Sequence, residues 1–133
     1  MNIKRFSLSI LACFAFIFLF EWIFHGILLK DLYVSTADLW RTEEEMIQYF
    51  HWALFSQLWF VTAFAWVFTQ CFENHGIKEG IRFGLGMGLV MGAMTFGFYP
   101  YMPIPIILAL AWVVGSLLEG VLLGIILSKT YKN

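Results

Sequence analysis

Charge is scarce in this chain. Asp, Glu, Lys and Arg make up 13% of its 133 residues, and eight positive against nine negative leave a formal net charge of −1. A near-neutral balance excludes a nucleic-acid partner, which needs a basic face. Cys13 and Cys71 are the only cysteines. They have no Cys-x-x-Cys spacing, so no thiolate metal knuckle is encoded, and the expectation is two free, buried thiols. No His-Glu-x-x-His motif, P-loop lysine or nucleophile with a base at motif spacing occurs, so neither the metalloprotease, the nucleotide-binding nor the nucleophilic-enzyme pattern is present. A cleavable signal peptide is not expected either. The apolar run after Lys4 and Arg5 is too long for one, and no small-residue cleavage signal follows it.

What is abundant is apolar surface. Hydrophobic residues reach 61% and aromatics 20%. A water-soluble domain of this size would expose large apolar patches and aggregate. A bilayer accepts that surface, and a helix crosses it with about 20 apolar residues. The expected fold is an all-α membrane protein, a compact up-down bundle of four transmembrane helices in one domain spanning 1–133. The spans fall at about 6–29, 43–72, 81–99 and 104–127. Thr42 and Glu45 have capping-box spacing at the start of the second span, whose first two turns project into water. Gly76 is a plausible C-cap after it. Pro100, Pro103 and Pro105 make a stiff turn between the last two spans.

The positive residues set the expected orientation. Lys4, Arg5, Lys78, Arg82, Lys129 and Lys132 fall on one side, and only Lys30 and Arg41 on the other. The positive-inside rule then puts both termini in the cytoplasm. Gly80, Gly84, Gly88 and Gly92 recur on one face of the third span, and Gly120 and Gly124 on the fourth. Such small residues let helix backbones approach closely in lipid. Gly86 and Gly97 widen this surface. Met87, Met91 and Met94 are read as gap fillers rather than a soft-metal site.

The anomalies are polar. Glu21 and Glu119 lie inside apolar spans, where an ionisable group costs on the order of 2.5–3.5 kcal/mol. Glu21 and His25 are spaced i, i+4 and share a helix face. His51 is expected to enter at a similar level on the second span. Glu21, His25, His51 and Glu119 are therefore the candidate ligand- or ion-binding residues, with Glu21, His25 and His51 as candidate metal ligands. Residue counting puts Glu21 and Glu119 roughly 10–15 Å apart in depth, so they are not expected to touch. Ser116 and Trp112 are the expected partners of Glu119. No catalytic residue and no cofactor is named by the sequence.

The stretch Glu21-Trp22-Ile23-Phe24-His25-Gly26-Ile27-Leu28-Leu29-Lys30-Asp31-Leu32-Tyr33, followed by Trp40 and later by Glu79-Gly80-Ile81-Arg82-Phe83-Gly84, resembles small bacterial four-helix membrane proteins of a domain-of-unknown-function family. There too an aromatic and glycine-rich first helix leads into an outer loop ending in tryptophan. The resemblance covers most of the chain in layout. It implies the bacterial inner membrane and carries no activity. Three functional readings stand at this point. The leading one is a non-enzymatic four-helix protein with a polar site near its outer face. Such a protein binds a small ligand or ion, or serves as an accessory subunit to other membrane proteins. The second is a small proton- or cation-coupled transporter or channel, self-associated and using Glu21 and Glu119. The third is a membrane-embedded enzyme.

Overall fold

The computed structural model describes residues 2–131; Lys132, one of the positive residues used for orientation, lies outside them. The described residues are helical and contain no strand. Helix α1 spans Ile3–Ile23 and starts at Asn2, whose Oδ1 accepts the Arg5 N–H at 3.1 Å. A single π-helical turn, Phe24–Leu28, continues it. A short helix α2, Lys30–Val34, and a 3₁₀ turn, Ala37–Leu39, come next. The connection between the first two spans is thus largely ordered as helical turns.

Helix α3 spans Glu43–Gln70 and begins with a complete capping box. The Glu45 N–H donates to Thr42 Oγ1 at 3.3 Å, and the Thr42 N–H donates to Glu45 Oε2 at 3.0 Å. Two orphan amide donors are satisfied reciprocally. Helix α4 spans Ile77–Phe96 and α5 spans Ile106–Thr130. The α1 helix with its π turn, α3 and α5 are long and apolar enough to cross a bilayer.

Gly76 does not cap α3. That helix ends at Cys71, and Gly76, at φ 69°, is the N-cap of α4. The reason lies in Glu79, at the third position of α4. Its carboxylate accepts the Glu73 N–H at 2.6 Å and the His75 N–H at 2.8 Å. Glu79 is buried, and these charge-assisted bonds at a helix N-terminus offset its desolvation. Arg82 holds Glu73 from outside at 2.6 Å, which keeps that carboxyl below its ordinary value. Cys71 is exposed, contrary to the expectation of two buried thiols; Cys13 is buried.

Helices α4 and α5 form the tightest pair. Gly80 faces Gly124, Gly84 faces Gly120, Gly88 faces Ser116 and Leu117, and Gly92 faces Val113. A Cβ on Gly120 would stand 2.5 Å from the Gly84 carbonyl oxygen and 2.9 Å from the Gly88 Cα. The obstacle is backbone, so it cannot rotate away. Gly86 has open space around its Cβ position and does not belong to this seam. Helix α1 packs on both α3 and α5, while α3 touches α5 only lightly.

Two apolar clusters fill the bundle. One joins Cys13 and Ile17 of α1, Phe64 and Phe68 of α3, and Leu123 and Leu127 of α5. The other, at the end that carries α2, joins Leu29, Ile104, Leu108 and Ala109. The seam yields a direct test. Gly120→Val is expected to destabilise the protein by about 1–3 kcal/mol or more, since overpacking against backbone cannot relax. Gly86→Ala is expected to be neutral or to stabilise by up to about 1 kcal/mol through helix propensity. Thermal unfolding in mild detergent, monitored by circular dichroism, separates them. Equal effects of the two substitutions would show that the seam is not what holds α4.

Candidate functional site

Between the two apolar clusters lies a cavity of about 590 Å³. Its wall is mostly aromatic and methionine, including Phe20, Phe24, Phe60, Met91 and Trp112. Into it face Glu21, His25, Tyr33 and Glu119. A smaller space of about 230 Å³ adjoins the same two glutamates and reaches Ser56 and Gln57 of α3. Glu21 and Glu119 line both, so the carboxyl pair sits at the junction.

The polar groups form a chain. The Trp112 indole N–H donates to the Tyr33 hydroxyl at 2.8 Å. The same hydroxyl lies 2.5 Å from Nδ1 of His25. Nε2 of His25 lies 3.5 Å from Oε2 of Glu21. Indole can only donate, so Tyr33 accepts there. Burial pushes the Tyr33 phenol above its ordinary value, so it keeps its single proton at neutral pH. One neutral assignment uses every proton: Tyr33 donates to a bare Nδ1, and His25 carries its proton on Nε2, facing Glu21.

The π turn makes this chain possible. Residues eight apart in a regular helix lie roughly 80° apart around the axis. The Leu29 N–H donates to the Phe24 carbonyl at 3.0 Å, a step of five residues. That wide turn absorbs one residue and rotates the helix beyond it, so His25 and Tyr33 come round to the same side. Neither the wide turn nor the role of Tyr33 is among the sequence expectations. In the sequence Tyr33 stands only at the end of the stretch that carries the resemblance, and Gly26, within the π turn, is the only local hint of irregular helix.

The two glutamates come together, contrary to the depth count. Helix register explains it. Ser9 is hydrogen-bonded to Thr130, and Phe24 seats against Gly115. These contacts are fifteen residues apart on both helices, so one antiparallel register runs through them. It sets Glu21 opposite Leu118, beside Glu119. Side chains also lean toward their own helix N-terminus, which in an antiparallel pair turns the two carboxyl groups toward each other. Both carboxyl groups line the same two spaces. Two carboxylates offer only acceptors, so a direct bond between them calls for a shared proton.

The expected partners of Glu119 are engaged elsewhere. Ser116 Oγ donates to the Trp112 carbonyl at 2.9 Å, and the Trp112 indole is taken by Tyr33. His51 does not join the site. It is exposed on α3, its ring tilted against that of Trp52. Among the described residues no three His, Cys, Asp or Glu side chains are placed to hold a metal ion, so the set Glu21, His25 and His51 is not assembled. Gln57 is a further residue that the sequence does not single out. Its Oε1 is buried without a hydrogen-bond partner, at the smaller space beside the two glutamates.

Comparison with protein-family models, with curated proteins and with solved structures found no match to the chain. The site therefore has to be read from its own chemistry.

Tyr33→Phe tests the chain. It leaves the Trp112 N–H without its acceptor and Nδ1 of His25 without its donor, a loss of about 1–3 kcal/mol. Nitrogen NMR of histidine-labelled protein is expected to show the Nε2-protonated tautomer of His25 in the wild type and a mixture in Tyr33→Phe. A wild-type His25 protonated on Nδ1 would reverse the assigned direction of the chain.

Proposed function

We propose that the chain is a four-span protein of the bacterial inner membrane, with both termini cytoplasmic, and that it binds a small, largely apolar molecule in the cavity between α1, α4 and α5. Helix α4 is the fourth span in this reading. Lys78 and Arg82 impede it by composition, but its close backbone contact with α5 over four turns supports a shared environment. The positive residues near the chain ends and in the first two turns of α4 support the orientation. The bacterial location rests on the resemblance of the first helix and its exit.

The single observation that carries the binding reading is the cavity itself. A volume of about 590 Å³ falls in the range that takes a drug-sized ligand, roughly 300–1,000 Å³. Its apolar walls and few convergent polar groups are the usual division of labour in a ligand site, burial for affinity and hydrogen bonds for orientation. Helix π turns also recur at functional sites, and here one brings Tyr33 round to His25.

Binding stabilises a folded state by mass action, about 2.7 kcal/mol when ligand is at a hundred times its Kd. Thermal unfolding of the purified protein against a panel of small neutral, cationic and anionic amphiphiles is expected to give responders. Thr95→Trp, which fills the cavity from α4, is expected to fold and to lose the response. A wild type that responds to nothing in the panel, or an equal response in Thr95→Trp, would count against a binding cavity.

A further inference from the structure

We propose that the molecule taken up by this cavity is an organic ammonium ion, and that its entry displaces the proton shared by Glu21 and Glu119. This rests on the binding reading above and gives its ligand a charge and a head group.

The sign comes from the inventory of the walls. No Lys or Arg lines either space. The titratable groups facing the carboxyl pair are His25, on the same helix as Glu21, and Tyr33 of α2. Helix α3 presents Ser56 and Gln57, and α4 presents Met91 and Thr95, none of which titrates near neutral pH. An anion would meet two carboxyl groups and no compensating charge. A cation meets two acids and a set of aromatic faces, Phe20, Phe24 and Trp112, which attract positive charge through their π electrons.

The chemical class comes from geometry. The acids and His25 line one space without converging into a metal site. A bulky cation with an apolar body suits that spread better than a small bare ion. The buried Oε1 of Gln57 lacks a donor and adjoins the space shared with Glu21 and Glu119. An ammonium N–H supplies one. An unmet buried acceptor is costly, so the site favours a head group that donates.

The exchange keeps charge balanced. In this proposal the pair holds one proton and one negative charge before entry. The ammonium enters with one positive charge, and the shared proton leaves to bulk water. The net charge of the occupied site is the same as before entry.

Isothermal titration of the full-length protein in mild detergent tests this with three probes that share one body: 4-phenylbutan-1-amine, 4-phenylbutan-1-ol and 5-phenylpentanoate. The amine is expected to bind at least about tenfold more tightly than the other two. Titrations in two buffers of different ionisation enthalpy are expected to show protons released as the amine binds. Over pH 6–8.5 the amine stays charged, since its pKa is about 10, like that of lysine. Its affinity is expected to strengthen as pH rises, by up to about tenfold per unit, the one-proton limit. Glu119→Gln is expected to abolish proton release and weaken the amine about tenfold, with a cooperative circular-dichroism melt showing that the variant is folded. Alcohol and amine binding alike, a flat pH profile, or no proton release in the wild type overturns the ammonium exchange and leaves the cavity reading intact. Failure of all three probes together with a wild type unresponsive in thermal unfolding overturns both.

Discussion

The contact on which the rest depends is the backbone-to-backbone seam between α4 and α5. In lipid no hydrophobic force pushes helices together, so close packing has to come from surface shape. Glycines at four-residue spacing remove the side chains that would hold the two helices apart. The partners run in strict sequence, from Gly80 against Gly124 to Gly92 against Val113. That fixes the rotation and height of α5. Trp112 and Glu119 then line the cavity from α5, because the α4 side of that helix is already occupied by backbone. The acid is placed by the glycines.

Helix α1 is set against α5 by a looser device. Ser9 bonds Thr130 near one end, and the Phe24 ring presses on Gly115 near the other. A Cβ on Gly115 would stand 2.5 Å from that ring, so Gly115 serves the α1 contact as the other glycines serve α4. Between these two fixed points the register leaves no freedom, and Glu21 arrives beside Glu119. The π turn acts just beyond Phe24. It leaves Glu21 where a regular helix puts it and swings Tyr33 onto His25. The site thus has a rigid half, on α5, and a half whose geometry depends on one irregular turn.

These dependencies explain which features are legible in the sequence. Local signals carry the capping box at Thr42 and Glu45, because both partners lie within one turn. Periodic apolar content carries the helices, and two acids in apolar stretches stand out by cost alone. The meeting of Glu21 and Glu119 is not legible, because counting residues assumes level helix ends, whereas register is set by contacts as distant as Ser9 with Thr130. His51 misleads for the same reason. Similar depth does not imply a shared face, and α3 turns that residue outward. Glu79 escapes notice although it stands at the third position of its helix, where an acid commonly closes a cap. The signal is present, but it is hidden as long as Gly76 is read as the end of α3 rather than the start of α4.

The chemistry of the site reflects how few polar groups an apolar interior tolerates. Each of them must be paired, and a chain is the economical way to pair an odd collection. Trp112 supplies a donor, Tyr33 passes a proton's worth of direction, His25 is fixed in one tautomer, and its remaining N–H faces Glu21. That leaves Glu21 with one side engaged by His25 and the other turned to Glu119. Two carboxyl groups can satisfy each other only by sharing a proton, as proposed above. Every donor upstream is therefore committed, and Gln57 Oε1, beyond the pair, is left with nothing. The polar chain ends in an unmet acceptor beside a removable proton, with open space on both sides. A group that brings its own N–H and its own positive charge completes that arrangement without disturbing any bond in the chain behind it.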